Sequence, residues 1–114
     1  RPIPIWFGGG VDAVLKRAAK YGQGWIPLSN ANSHAAAQVE KLHGFLKDEG
    51  RDPASFGIEA WIRSSLGGAD EWRAAVGKWR GMGASHATFY TSGQGVGGLD
   101  AQIEAMRQFK AAME

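Results

Sequence analysis

The stretch Pro4-Ile5-Trp6-Phe7-Gly8-Gly9-Gly10, running into Val11–Tyr21, decides the fold. Ile5-Trp6-Phe7 is a short apolar run bounded by proline and glycine, the mark of a buried parallel strand. After the glycines, Val11, Val14, Leu15 and Ala18 recur at helical spacing, with Asp12, Lys16, Arg17 and Lys20 on the other side. A strand, a glycine turn and a helix in direct succession make half of a βα unit. The N–H groups of such a turn, and of the first turn of the helix, have no partner within the helix. They form a ready anion site, with phosphate the usual occupant. Glycines after a strand serve equally well as a plain tight turn, so the motif alone leaves both readings open.

Further along the chain the unit recurs. Gly22 is expected as the left-handed stop of the first helix. Gly24–Leu28 reads as a second strand, with Pro27 confined to its end or to a position needing no N–H. The polar loop Ser29–Ser33 offers N-caps for a helix over His34–Asp48, whose buried side is Ala35, Val39, Leu42 and Leu46, closed by Gly50. Asp52-Pro53 reads as cap and first residue of a single helical turn. In the strand Gly57–Arg63, Ile58, Ala60 and Ile62 face one way and Glu59, Trp61 and Arg63 the other. Gly67-Gly68 precedes a helix over Ala69–Met82 with a stripe of Trp72, Ala75, Val76 and Trp79. A fourth strand, His86–Thr91, sends Ala87, Phe89 and Thr91 one way and Thr88 and Tyr90 the other. After Gly93–Gly98 comes the last helix, with Leu99, Ile103, Met106 and Met113 on one side.

Strands alternating with helices imply an α/β fold with a parallel sheet. Glu59, Arg63, Thr88 and Tyr90 put polar groups on one face of two strands. A sheet sandwiched between helices reads apolar on both faces, whereas a barrel lumen accepts polar side chains near its mouth. A closed barrel takes eight βα units and about 250 residues. The 114 residues here hold four, so the expected fold is a single half-barrel domain over 1–114: half of a TIM-type (βα)8 barrel, parallel strands with outer helices.

Composition narrows the function. A hydrophobic content of 44% with five tryptophans is enough for a core and excludes a disordered chain. Thirteen Lys and Arg against eleven acids leave +2, spread along the chain, which argues against a nucleic-acid face. With no cysteine, disulfides and thiolate metal sites are excluded, and a cytoplasmic location is expected. No apolar run approaches the ~18 residues of a membrane span, and no signal-peptide pattern opens the chain. Opening on Arg1 and not Met, the chain is expected to be a fragment or a processed product.

Pro2–Gly9, followed by Ala13-Val14-Leu15-Lys16-Arg17-Ala18-Ala19-Lys20-Tyr21-Gly22-Gln23-Gly24-Trp25-Ile26-Pro27, resembles the luciferase-like monooxygenase family. There, an apolar strand ending in Gly-Gly leads into an Ala/Arg-rich helix and a Gly-Asp-Gly-Trp-type strand. Gly50-Arg51-Asp52-Pro53, Trp79–His86 and Gly98-Leu99 with Gln102–Phe109 extend the resemblance over essentially the whole chain. It is nearest to the branch that uses a deazaflavin, coenzyme F420, in place of FMN. The resemblance implies a flavin- or deazaflavin-dependent oxidoreductase, of which this chain is the second half of the barrel, strands five to eight.

It further implies that Gly8 and Gly9, with Gly10 beside them, receive the coenzyme phosphate on backbone N–H groups. Leu28 and Ser29 would line the same pocket. Many relatives place Asn or Ser after the two glycines; here Gly10 and Val11 stand there, a side-chain hydrogen bond is lost, and Asp12 adds a negative charge nearby. Binding then rests on amides and on the helix dipole, worth about 1 kcal/mol.

The remaining candidates are weaker. His34 and His43, nine residues apart on one helix, fall on opposite faces and share no metal. His86 opens a strand at the N-terminal end of the barrel, the stability face. Glu59 and Arg63 lie roughly 13 Å apart along a strand, too far to pair. Arg63, nearer the C-terminal mouth, is placed to meet an anionic ligand or an ion partner from the other half. Trp72 and Trp79 read as core. No catalytic residue is identified, since neither a nucleophile–His–acid set nor a carboxylate pair can be assembled.

Half a barrel leaves two unpaired sheet edges and a lumen face, including Trp61 and Tyr90, open to water. Wetting about five apolar side chains forfeits roughly 7–15 kcal/mol, comparable to a domain's whole stability. The expected partner is a second copy, as a homodimer, or a complementary half-barrel, with no nucleic acid and no membrane. Two function classes stand: the coenzyme-phosphate half of an oxidoreductase, binding coenzyme F420 or FMN, and a non-catalytic remnant or excised piece, a self-associating half-barrel that binds at most a phosphate.

Overall fold

The structure, a computed structural model, describes residues 2–114. Its elements are β1 (Trp6–Gly8), α1 (Asp12–Tyr21), β2 (Gly24–Ile26), α2 (Ser33–Asp48), β3 (Gly57–Arg63), α3 (Ala69–Gly81), β4 (His86–Tyr90) and α4 (Leu99–Met113). All pairings are parallel and the sheet order is β1-β2-β3-β4, each strand beside its sequence neighbour. The order never reverses, so there is no switch point of the doubly wound kind. This is the α/β arrangement of half a βα barrel, as the alternating strands and helices predict.

The core lies between the sheet and its helices. Ile58, Ala60 and Ile62 are buried, while Trp61 on the opposite face is exposed and Glu59 and Arg63 are half-buried. The alternation read in this strand therefore holds, with one apolar row under the helices and one polar-aromatic row on the open face. All four residues assigned to the buried side of α2 are buried, together with Gln38. Asn32 caps that helix, its side chain accepting from the Ala35 N–H at 2.9 Å. Gly50, at φ +70, closes it, and the Arg51 N–H reaches back to the Leu46 carbonyl. Asp52 caps the single 3-10 turn Pro53–Ser55 as expected. Trp72 and Trp79 are core, Trp72 packing edge-on to Phe89, which stacks on Phe109.

Two expectations are corrected, at Gly22 and Val11, and α4 adds a finding of its own. Gly22 is extended, at φ −93, and not left-handed. Its glycine answers a steric demand: a Cβ there would lie 2.9 Å from the Ala18 carbonyl oxygen and 3.0 Å from the Phe7 ring. Val11 is no part of the apolar face of α1; it is the exposed N-cap, and Leu15, Ala18 and Ala19 make the contact. On α4 the buried residues are Ala105 and Ala112, whereas Leu99, Ile103, Met106 and Met113 are exposed. Phe109 joins the buried side by packing on Trp72 and Phe89, and the larger apolar side chains are left on the exposed flank.

Candidate functional site

The candidate site is built by the loops after β1 and β2, together with the C-terminal ends of β3 and β4. In the first, between β1 and α1, two side chains hold consecutive carbonyls. The Trp25 indole N–H donates to the Gly9 carbonyl, and Gln38 Nε2 donates to the Gly10 carbonyl at 2.9 Å. Both donors are buried, Trp25 fully and Gln38 nearly so. In a trans peptide the C=O and the next N–H point opposite ways, and there is no cis bond among the described residues. Carbonyls drawn inward therefore turn the N–H groups of Gly10 and Val11 outward. Gly10 must be glycine for this, since a Cβ would come within 2.0 Å of Gln38 Nε2.

Of the expected phosphate donors, Gly9 is already engaged: its N–H donates to the Ile26 carbonyl at 3.1 Å, prolonging the β1–β2 ladder. Its φ of +114 favours glycine. Gly8 serves as a floor, with a Cβ there meeting Leu28 Cδ1 at 3.4 Å. The acidic Asp12 at the start of α1 is offset by Lys41, whose Nζ stands 3.1 Å from its carboxylate. Both are exposed, which keeps the pair weak.

The second loop carries Leu28 and Ser29. Leu28 sits at φ +59, a left-handed conformation for a non-glycine residue, and its side chain is exposed. Ser29 Oγ is buried with no hydrogen-bond partner among the described residues. Together with Trp61, Arg63 and Tyr90 these two line a concavity of about 330 Å³ at the C-terminal ends of β3 and β4. The structure thus brings Leu28 against Gly8 and joins Leu28 and Ser29 to Arg63, while Gly9 and Gly10 stay outside that concavity. Arg63 lies directly opposite Tyr90 in the β3–β4 register. One of its nitrogens donates to Asn30 Oδ1 at 2.9 Å, and no carboxylate pairs with it among the described residues. Glu59 is engaged lower on the face, accepting from Thr88 Oγ1 at 2.6 Å.

Sequence reasoning missed what Trp6 does. Its ring lies across the open face at the N-terminal end of the sheet, so that a Cβ on Gly24 or Gly57 would fall 2.2 and 2.3 Å from it. It ends edge-on to His86, ring centroids 5.3 Å apart. The glycines that open two neighbouring strands in register, Gly24↔Gly57, were the available signal. His86 is thereby placed away from the mouth, its Nδ1 sharing a 2.8 Å hydrogen bond with Ser85 Oγ. His34 is exposed and His43 half-buried, on different sides of α2.

No helix among the described residues is long and apolar enough to cross a membrane. Comparison with curated proteins finds no match. The family model for luciferase-like monooxygenase matches residues 1–110. Over that span strand, glycine turn and helix follow one another as in the fold above, and the chain belongs to the luciferase-like monooxygenase family.

Proposed function

We propose that this chain supplies the coenzyme-phosphate half of a flavin- or deazaflavin-dependent oxidoreductase. The coenzyme, coenzyme F420 or FMN, would bring the hydride or electron chemistry when bound. The chain's own part is to hold its phosphate on the N–H groups of Gly10 and Val11 and at the first turn of α1. The observation that carries this reading is the pair of inward-held carbonyls, Gly9 by Trp25 and Gly10 by Gln38. The fit is one residue further along than Gly8-Gly9, because the Gly9 N–H already serves Ile26. Gly8, with no side chain of its own, leaves the approach to this loop open.

The open face calls for a cover. Trp61 on the face and the flank of α4 (Leu99, Ile103, Met106, Met113) are exposed. β1 and β4 each lack a neighbour on one side. A second copy in parallel register, β4 against the partner's β1 and the reverse, satisfies both edges at once and closes an eight-stranded cylinder. A complementary half-barrel does the same in one step. These exposed surfaces are also what favours the second reading, a self-associating half-barrel without catalysis.

Titration with FMN, riboflavin and coenzyme F420 tests the reading. FMN is expected to bind at least about tenfold tighter than riboflavin, which lacks the phosphate, and to shift the amide resonances of Gly10 and Val11. Equal affinity for the two flavins, or no saturable binding of any, refutes the phosphate seat and favours the non-catalytic reading.

A further inference from the structure

The concavity at the ends of β3 and β4 holds one cation, Arg63, over two aromatic rings. Trp61 stands two residues before Arg63 on the same face of β3. Tyr90 faces Arg63 from β4, and the Trp61 and Tyr90 rings lie 5.5 Å apart, tilted by 60°. Asn30, from the loop after β2, fixes the guanidinium through one N–H. A guanidinium has five N–H donors in a planar fork, so the rest of that fork is free for a ligand. Its positive charge meets no carboxylate among the described residues.

We propose that this concavity is a substrate subsite for a small aromatic carboxylate, the carboxylate on the Arg63 fork and the ring against Trp61 and Tyr90. The inference rests on reading the C-terminal end of the sheet as the active mouth, and it names the substrate class of that mouth. A carboxylate suits the site because it takes two parallel N–H donors and carries one charge against the one cation. A flat ring suits it because both walls are aromatic and prefer offset or edge contacts at such spacings. The volume of about 330 Å³ holds one or two fused rings. Asn30 is a positioning residue, acting through Arg63.

Calorimetric titration with naphthoate, its uncharged isostere naphthamide, and acetate tests this on the intact chain. Naphthoate is expected to saturate, naphthamide to bind about tenfold or more weakly, and acetate to bind weakest of the three. Arg63→Gln should lower naphthoate affinity about tenfold and naphthamide affinity much less, since the amide has one carbonyl acceptor and no charge. Arg63→Lys should recover part of the loss, keeping the charge without the fork. Trp61→Leu should weaken naphthoate and naphthamide alike. Circular dichroism matching the parent secures each variant's fold, and naphthamide binding provides a second check that the concavity persists in Arg63→Gln. No saturable naphthoate binding, or binding indifferent to Arg63→Gln, overturns the inference. A separate FMN and riboflavin titration distinguishes the failures: phosphate-dependent binding without naphthoate binding sinks this inference alone, and loss of the phosphate effect sinks the coenzyme reading.

Discussion

Replacing Gly24 by alanine sets a methyl group inside the volume of the Trp6 indole. The added carbon would stand 2.2 Å from two ring atoms, where ordinary contact begins near 3.4 Å. The indole must retreat by roughly an ångström or more, or swing off the sheet into water. Retreat is resisted from below by Gly57, over which the far edge of the same ring lies, and from the side by His86. Overpacking of this kind costs about 1–3 kcal/mol. Against it stands the gain from restricting the unfolded chain, about 0.4–1 kcal/mol. The net expectation is a loss of about 1–2 kcal/mol, which lowers the urea midpoint by about 1 M for a domain this size. The decisive measurement is a double-mutant cycle with Trp6→Ala, followed by urea unfolding. Without the indole the alanine at 24 has nothing to strike, and its effect should vanish or turn stabilising. The coupling should reach about 1 kcal/mol or more. An equal penalty in both backgrounds would refute the account of the two strand-opening glycines.

Three further outcomes are expected. Asn32→Ala removes the acceptor for the Ala35 N–H and should cost about 1 kcal/mol, read as a lowered melting temperature with the fold unchanged. Trp25→Phe keeps an aromatic ring but deletes the donor to the Gly9 carbonyl; the Gly10 and Val11 amide resonances should shift, and FMN should lose its advantage over riboflavin. Charging the flank of α4 with Ile103→Lys and Met106→Lys should leave the circular dichroism spectrum intact, because both side chains are exposed, and should abolish any concentration-dependent assembly seen by light scattering. Assembly unaffected by these charges would mean that the α4 flank takes no part in it.

Much of the architecture was legible because local signals agreed. Strict alternation in Gly57–Arg63 separates the helix-facing row from the open row, and the stripe of α2 fits a 3.6-residue period. Asp52-Pro53 and Gly50 carry their own backbone chemistry. What was not legible depends on neighbours distant in sequence. The period of α4 shows that one side is apolar, but which side is covered depends on α3 and β4, and the residues buried there are Ala105 and Ala112. Gly22, Gly24 and Gly57 look like turn punctuation until the Phe7 and Trp6 rings occupy the space above them. At the candidate site, the glycine turn drew attention to the loop after β1, and its free amides are not the ones the turn suggests. The choice of amides turned on the Ile26 carbonyl, eighteen residues beyond Gly8, which no local pattern encodes.

The donors that shape the first loop have a consequence for assembly of the chain. Trp25 belongs to β2 and Gln38 to α2, so the loop cannot take its form from its own residues and must await elements made later. A nascent chain that has emerged only as far as α1 carries the glycines without their conformation. If the loop seats a phosphate as proposed, that capture is a late event, a readout that the first two βα units have docked, and agents that loosen α2 should silence it while β3 and β4 remain paired.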